Sequence, residues 1–127
     1  MIQHIDLLGT PYLENGRVGD AGIDCYGLLI EMMRRAGTPI PDIYNPEGGQ
    51  TACARVFAQN LDAWHPCEPK AGCAVLIRIG RHNSHCGFLL DPFTMIHTWE
   101  GAGGVVVEKL NAWRQRIVGF YEFAGTQ

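Results

Sequence analysis

The sequence predicts an α+β sandwich with N-terminal helices packed on one face of an antiparallel sheet of about five strands. Three observations predict it. A helical apolar pattern comes early, over residues 25–36. From Cys73 onward the apolar period becomes that of strands. Turn signals then divide the second half into short runs, so helices precede strands along the chain.

The elements follow in order. Residues 2–8 form a short helix or strand leading to Gly9-Thr10-Pro11-Tyr12, where Pro11 fixes extended backbone and Tyr12 follows on a loop. Gly16, Gly19 and Gly22 make the next stretch an approach loop. Leu28, Leu29, Met32, Met33 and Ala36 then recur at helical spacing. Arg34 and Arg35 suit the negative end of that helix, Gly37 suits its left-handed close, and Pro39 and Pro41 prevent continuation. After a loop over 42–50, Thr51 caps a second expected helix running to about Trp64, with Val56, Phe57 and Leu61 on one side. Pro66, Pro69 and Gly72 exclude regular structure over 65–72. Strands are expected over 73–79, 85–90, 93–99, 105–108 and 117–123, with a polar turn at 80–84 and a turn at Asp91-Pro92. Gly101 to Gly104 form a tip, and residues 110–115 a helical turn around Trp113.

The totals bound the function. With 127 residues, 46% apolar and 18% charged, the chain suits one soluble domain over 1–127. A net charge of −3 without a basic run speaks against nucleic acid. No apolar stretch reaches membrane-spanning length, and the N-terminus carries no secretory pattern, so cytoplasmic synthesis is expected. The five cysteines, at 25, 53, 67, 73 and 86, form no repeated framework and read as reduced thiols.

Chemistry concentrates at Asp24-Cys25. Asp24 can cap the first helix by accepting a bond from a first-turn N–H, and Ile23 with Leu28 can staple it. Cys25 then occupies the first helical position, where free N–H groups and the macrodipole favour a thiolate. Cys53 has no such surroundings and reads as packing.

A cysteine nucleophile needs a base, and the base needs a third group to hold its ring. Pairing Leu90 with Thr94 puts His85 opposite Trp99 and diagonal to His97, on one side of the sheet. Gly87 shares that side and leaves room beside His85. Leu89 and Met95 share it too, and are expected to pack against the helix bearing Cys25. In this arrangement Cys25 attacks a carbonyl carbon, His85 protonates the leaving amine, and His97 holds the ring of His85. The Cys25 N–H and the Tyr12 hydroxyl are candidate oxyanion donors, and Trp99 lies where substrate could touch it. His4, His65 and His82 read as loop or surface residues.

At these residues the chain resembles the NlpC-type papain-like cysteine peptidases. The matching motifs are Gly9-x-Pro11-Tyr12, Asp24-Cys25-x-Gly27-Leu28, His85-x-Gly87-Phe88 and His97 twelve residues later. The resemblance implies a papain-like fold, a Cys25–His85–His97 triad with Tyr12 near the oxyanion, and hydrolysis of peptidoglycan stem peptides, often between D-glutamate and a diamino acid. Asp24, Tyr26, Gly87 and Trp99 complete the candidate substrate side. Gly104 to Glu108, Trp113, and Gly119-Phe120-Tyr121 resemble the phage-tail branch, which implies tail proteins as partners and a place in the virion tail, acting at the cell wall. Tyr26 departs from the family's usual Ser, Leu13 to Gly16 replace its Gly-Gly, and Ala71-Gly72-Cys73 replaces its Pro-Gly-Asp.

No cofactor or metal is expected. His82, His85, Cys86, Cys67 and Cys73 are donor types for zinc but lack ligand spacing. Two alternatives share the fold. One is a non-catalytic structural component of a phage tail. The other is a protein-processing peptidase or acyltransferase with the same thiol chemistry.

Overall fold

The computed structural model describes residues 2–42, 63–80 and 82–124, with the backbone alone for 82–84. The second expected helix, over 51–62, lies outside the described residues, as does Cys53. A short 3₁₀ turn (Ile5–Leu7) precedes the helix α1 (Cys25–Arg35). Six strands follow: β1 (Trp64–Pro66), β2 (Ala74–Ile79), β3 (His82–Asp91), β4 (Thr94–Thr98), β5 (Val105–Lys109) and β6 (Ile117–Phe123). They form one antiparallel sheet in the order β1-β6-β2-β3-β4-β5. A 3₁₀ segment, Leu110–Arg116, links β5 to β6.

The helix ends as its residues dictate. The Asp24 carboxylate accepts the Gly27 N–H at 2.7 Å. At the other end Gly37 takes φ +83°, and the Thr38 N–H reaches the Met33 carbonyl. Arg35 ties this end to Asp6 and Glu31.

The sheet has one strand more than expected. Trp64, assigned from sequence to a helix, begins β1, and Pro66, placed in irregular chain, ends it by pairing with Tyr121. An edge strand tolerates proline because one side of its ladder is unused. Trp64 packs edge-on against Phe123, centroids 5.0 Å apart, beside the three pairs that join β1 to β6. The turn expected at 80–84 is tighter than that: Gly80 turns at φ +62° and β3 already starts at His82, so His82 lies in a strand rather than a loop.

The β3–β4 pairing differs from expectation at its turn end. Phe88 pairs with Ile96 and Leu89 with Met95, as the reading of the hairpin requires. The register then shifts past Leu90, so Thr94 faces Asp91 instead. The Asp91 carboxylate accepts the Phe93 N–H at 2.7 Å and tightens the turn, which leaves Leu90 as the extra residue.

Strand alternation divides the core in two. Leu28, Leu29, Met32 and Met33 of α1 pack with Leu76, Phe88, Leu90 and Ile96 on one face. Leu89 and Met95 do not meet α1, contrary to expectation. With Val75, Ile77 and Cys73 they occupy the other face, under Leu110 and Trp113. The cause is the period of two: Phe88 and Leu90 claim the helix side, so Leu89 must point away.

Candidate active site

His85 and His97 are carried by adjacent central strands and are both buried. His85 Nε2 and His97 Nδ1 are 2.7 Å apart, so the two rings share a hydrogen bond. Gly87 makes this approach feasible. A Cβ there would stand 3.3 Å from the His97 Cβ and 3.1 Å from Val75 Cγ1. The space the glycine opens is therefore beside His97, where the sequence suggested His85.

His97 has a second partner that the sequence reading did not name. Its Nε2 lies 2.8 Å from Glu108 Oε1 on β5. His97 pairs directly with Val106, so Glu108 is its diagonal neighbour two residues along, just as His97 is to His85. A carboxylate sharing the face of a buried histidine on the next strand was the available signal. Burial, and then the nearby His85, push the His97 pKa down to about 4, while Glu108 and Cys25 oppose the shift.

Trp113 closes this face. Its ring centroid lies 6.1 Å from His85 and 5.1 Å from His97, edge-on to the latter. Trp99 meets Trp113 edge-on at 5.6 Å, and Arg116 lies over the Trp113 ring. Trp99, Trp113, Glu108, Arg114 and Arg116 line a cavity of ≈ 530 Å³ against the Glu108 end of the pair. A larger hollow, bordered by His4, Asp6, Arg34 and Arg35, sits at the far end of α1 and holds none of these groups.

Cys25 is half-buried at the first position of α1, packed on the helix-side core. Its field reaches across: negative charge on the sulfur raises the pKa of both His97 and Tyr12. Tyr12 is set by a bridge to Ile23 and by its N–H on the Gly103 carbonyl. Burial first, then Cys25 and Asp24, push its hydroxyl up to about 12, so it remains a hydrogen-bond donor. The lead-in loop is seated by Gly27, whose added Cβ would meet the Gly16 carbonyl oxygen at 2.3 Å.

Asp24 and Tyr26 face other tasks in the fold. Both oxygens of Asp24 are engaged, by the Gly27 and Asn15 N–H groups and by Arg17. Burial raises its pKa, with the Gly27 and Arg17 bonds opposing. Tyr26 is buried in the helix-side core and donates its hydroxyl to the Pro41 carbonyl at 2.7 Å, beneath Arg17. Among the described residues no group of three or more His, Cys, Asp and Glu could hold a metal ion.

The NlpC/P60 family profile matches residues 9–122, which takes in the lead-in tyrosine, the cysteine and both histidines. The chain belongs to the NlpC/P60 family. This is a family of cysteine peptidases that act on peptidoglycan, and membership supports a hydrolase. A comparison with curated protein sequences found no match. Among solved structures the chain is similar to an NLP/P60 family protein, described as similar to lipoprotein, from Staphylococcus aureus subsp. aureus Mu50. The two share 17% identity at a TM-score of 0.67, covering 96% of this chain and 39% of that one. That likeness establishes the NlpC/P60 α+β fold, and the chain spans well under half of the protein it resembles.

Proposed function

We propose that this NlpC/P60 domain is a cysteine endopeptidase that hydrolyses stem peptides of peptidoglycan at the bond between D-glutamate and a diamino acid. The observation that carries the reading is the buried His85–His97 contact at 2.7 Å, in a chain whose family match takes in Cys25 and both histidines. Cys25 Sγ attacks the carbonyl carbon, and the oxyanion forms at the start of α1 beside the Tyr12 hydroxyl. Protonated His85 gives its proton to the leaving amine as the C–N bond breaks. Water then attacks the thioester, surrendering a proton to His85, and the carboxylic acid leaves with the thiolate restored. Trp99 lines the cavity beside Glu108 and Trp113, which supports a contact between its ring and the substrate. The likeness of Gly104 to Glu108 and Gly119 to Tyr121 to tail-associated members supports a role in a phage or prophage tail acting at the cell wall.

Digestion of purified muropeptides, read by mass spectrometry, tests the reading. Wild-type protein is expected to release fragments cut after D-glutamate, and Cys25→Ser none. A natively folded wild type that leaves every muropeptide intact would overturn the peptidase reading. Cuts at another stem-peptide bond would overturn only the choice of bond.

A further inference from the structure

We propose that Glu108 is a positioning residue, which sets the direction of the hydrogen bonds through His97 and so fixes which nitrogen of His85 is free to take a proton. An ionised carboxylate only accepts hydrogen bonds. Glu108 Oε1, 2.8 Å from His97 Nε2, therefore requires the hydrogen of His97 to sit on Nε2. His97 is neutral around pH 7, because its pKa lies near 4. A neutral imidazole with its hydrogen on Nε2 carries a lone pair on Nδ1. That lone pair faces His85 Nε2 at 2.7 Å, so His85 donates there. Neutral His85 is then left with its lone pair on Nδ1, the nitrogen outside the pair. One acceptor at the edge fixes both tautomers.

Among the described residues no other charged group does this work. The groups whose charge acts on His97 are His85 on β3, Glu108 on β5 and Cys25 at the start of α1. Trp113 packs against both rings, and its cation, Arg116, lies on the indole. The Glu108 side chain is 36% exposed, so water screens its charge. Its influence runs through the direction of a hydrogen bond, which screening does not remove.

The proposal rests on the peptidase reading for its kinetic consequence but not for its structural one, and two readouts separate them. The first is ring-nitrogen NMR at pH 7. Wild-type protein is expected to show His97 as the Nε2–H tautomer and the hydrogen between the two rings on His85 Nε2. Glu108→Lys places a donor opposite His97 Nε2 and is expected to move both hydrogens to Nδ1. Glu108→Gln can still accept through its amide oxygen and is expected to keep the wild-type pattern largely intact. The second readout is muropeptide hydrolysis. Glu108→Lys is expected to lower kcat by about 100-fold or more, as a wrong tautomer does in the Ser-His-Asp triad, with KM little changed. Glu108→Gln should lose less than Glu108→Lys, because its amide oxygen can still accept from His97 Nε2. If Glu108→Lys keeps the wild-type tautomers, the proposal is wrong whatever the activity. If the tautomers move while an active wild type loses no kcat, the positioning role is wrong. Switched tautomers in a protein that never hydrolyses muropeptides would leave Glu108 as the determinant of direction and reject the peptidase reading instead.

Discussion

Replacing His97 should flatten the acid side of the stability profile. Its imidazole has no exposed surface, and its pKa is pushed from 6.5 to about 4. The folded state therefore binds fewer protons than the unfolded chain across that interval. Stability from this group is complete above the unfolded pKa and is lost as pH falls toward the folded one. Between pH 7 and pH 5 the loss amounts to about 2 kcal/mol, or roughly 6–10 °C in Tm for a domain of this size. The range stops at pH 5 because Asp24, whose pKa is raised by burial, contributes with opposite sign nearer the carboxylate range. Thermal unfolding followed by circular dichroism at half-unit steps of pH gives the slope for wild type and for His97→Gln. The variant starts from a lower Tm, so the slopes are compared rather than the values. Exposed histidines are common to both proteins and cancel. Equal slopes would falsify the assignment of this acid sensitivity to His97.

Other outcomes follow from the same geometry. Alkylation by iodoacetamide at pH 6–7 in a Cys53→Ser background should label Cys25 first. Burial pushes the Cys73 thiol up to about 12, raises that of Cys67, and leaves Cys86 with no accessible surface; peptide mapping that finds Cys73 or Cys86 modified at the same rate contradicts this. Gly27→Ala should destabilise by about 2 kcal/mol despite the better helix propensity of alanine, since its methyl must displace the Gly16 carbonyl; urea titration measures it, and a stabilised variant refutes the loop contact. Thr98→Val should be neutral or stabilising by about 1 kcal/mol, because the buried Thr98 hydroxyl has no partner among the described residues; a loss above that in urea would point to a bond with an ordered water.

Much of this was legible in the chain because it is local. Asp24 before an apolar 3.6-residue pattern specifies the helix start, and Gly37 specifies its end. Two histidines in a hairpin with alternating partners share a side whatever lies on it, so their meeting could be anticipated. What covers each side could not be. Leu89 and Phe88 are equally apolar, and only the docking of α1 decides that Phe88 faces it while Trp113 covers Leu89. Strand β1 was hidden for a different reason. Trp64 to Pro66 pairs with the far end of the chain, and nothing near Pro66 announces a ladder with Tyr121. Glu108 escaped because its role depends on the β4–β5 register, which no tight turn fixes.

The imidazole pair and its carboxylate form an oblique row over three neighbouring strands, each member displaced by two residues from its neighbour's direct partner. Such a row makes the hairpin's alignment a single point of failure. A two-residue slip of β4 keeps every apolar group on its own side and costs little visible order. It also carries the central ring about 7 Å along the strand, out of reach of both flanking atoms. A preparation with that error would pass tests of compactness and helicity while lacking the imidazole pair, so the ring-nitrogen signals of His85 and His97 are the measure of correct folding here.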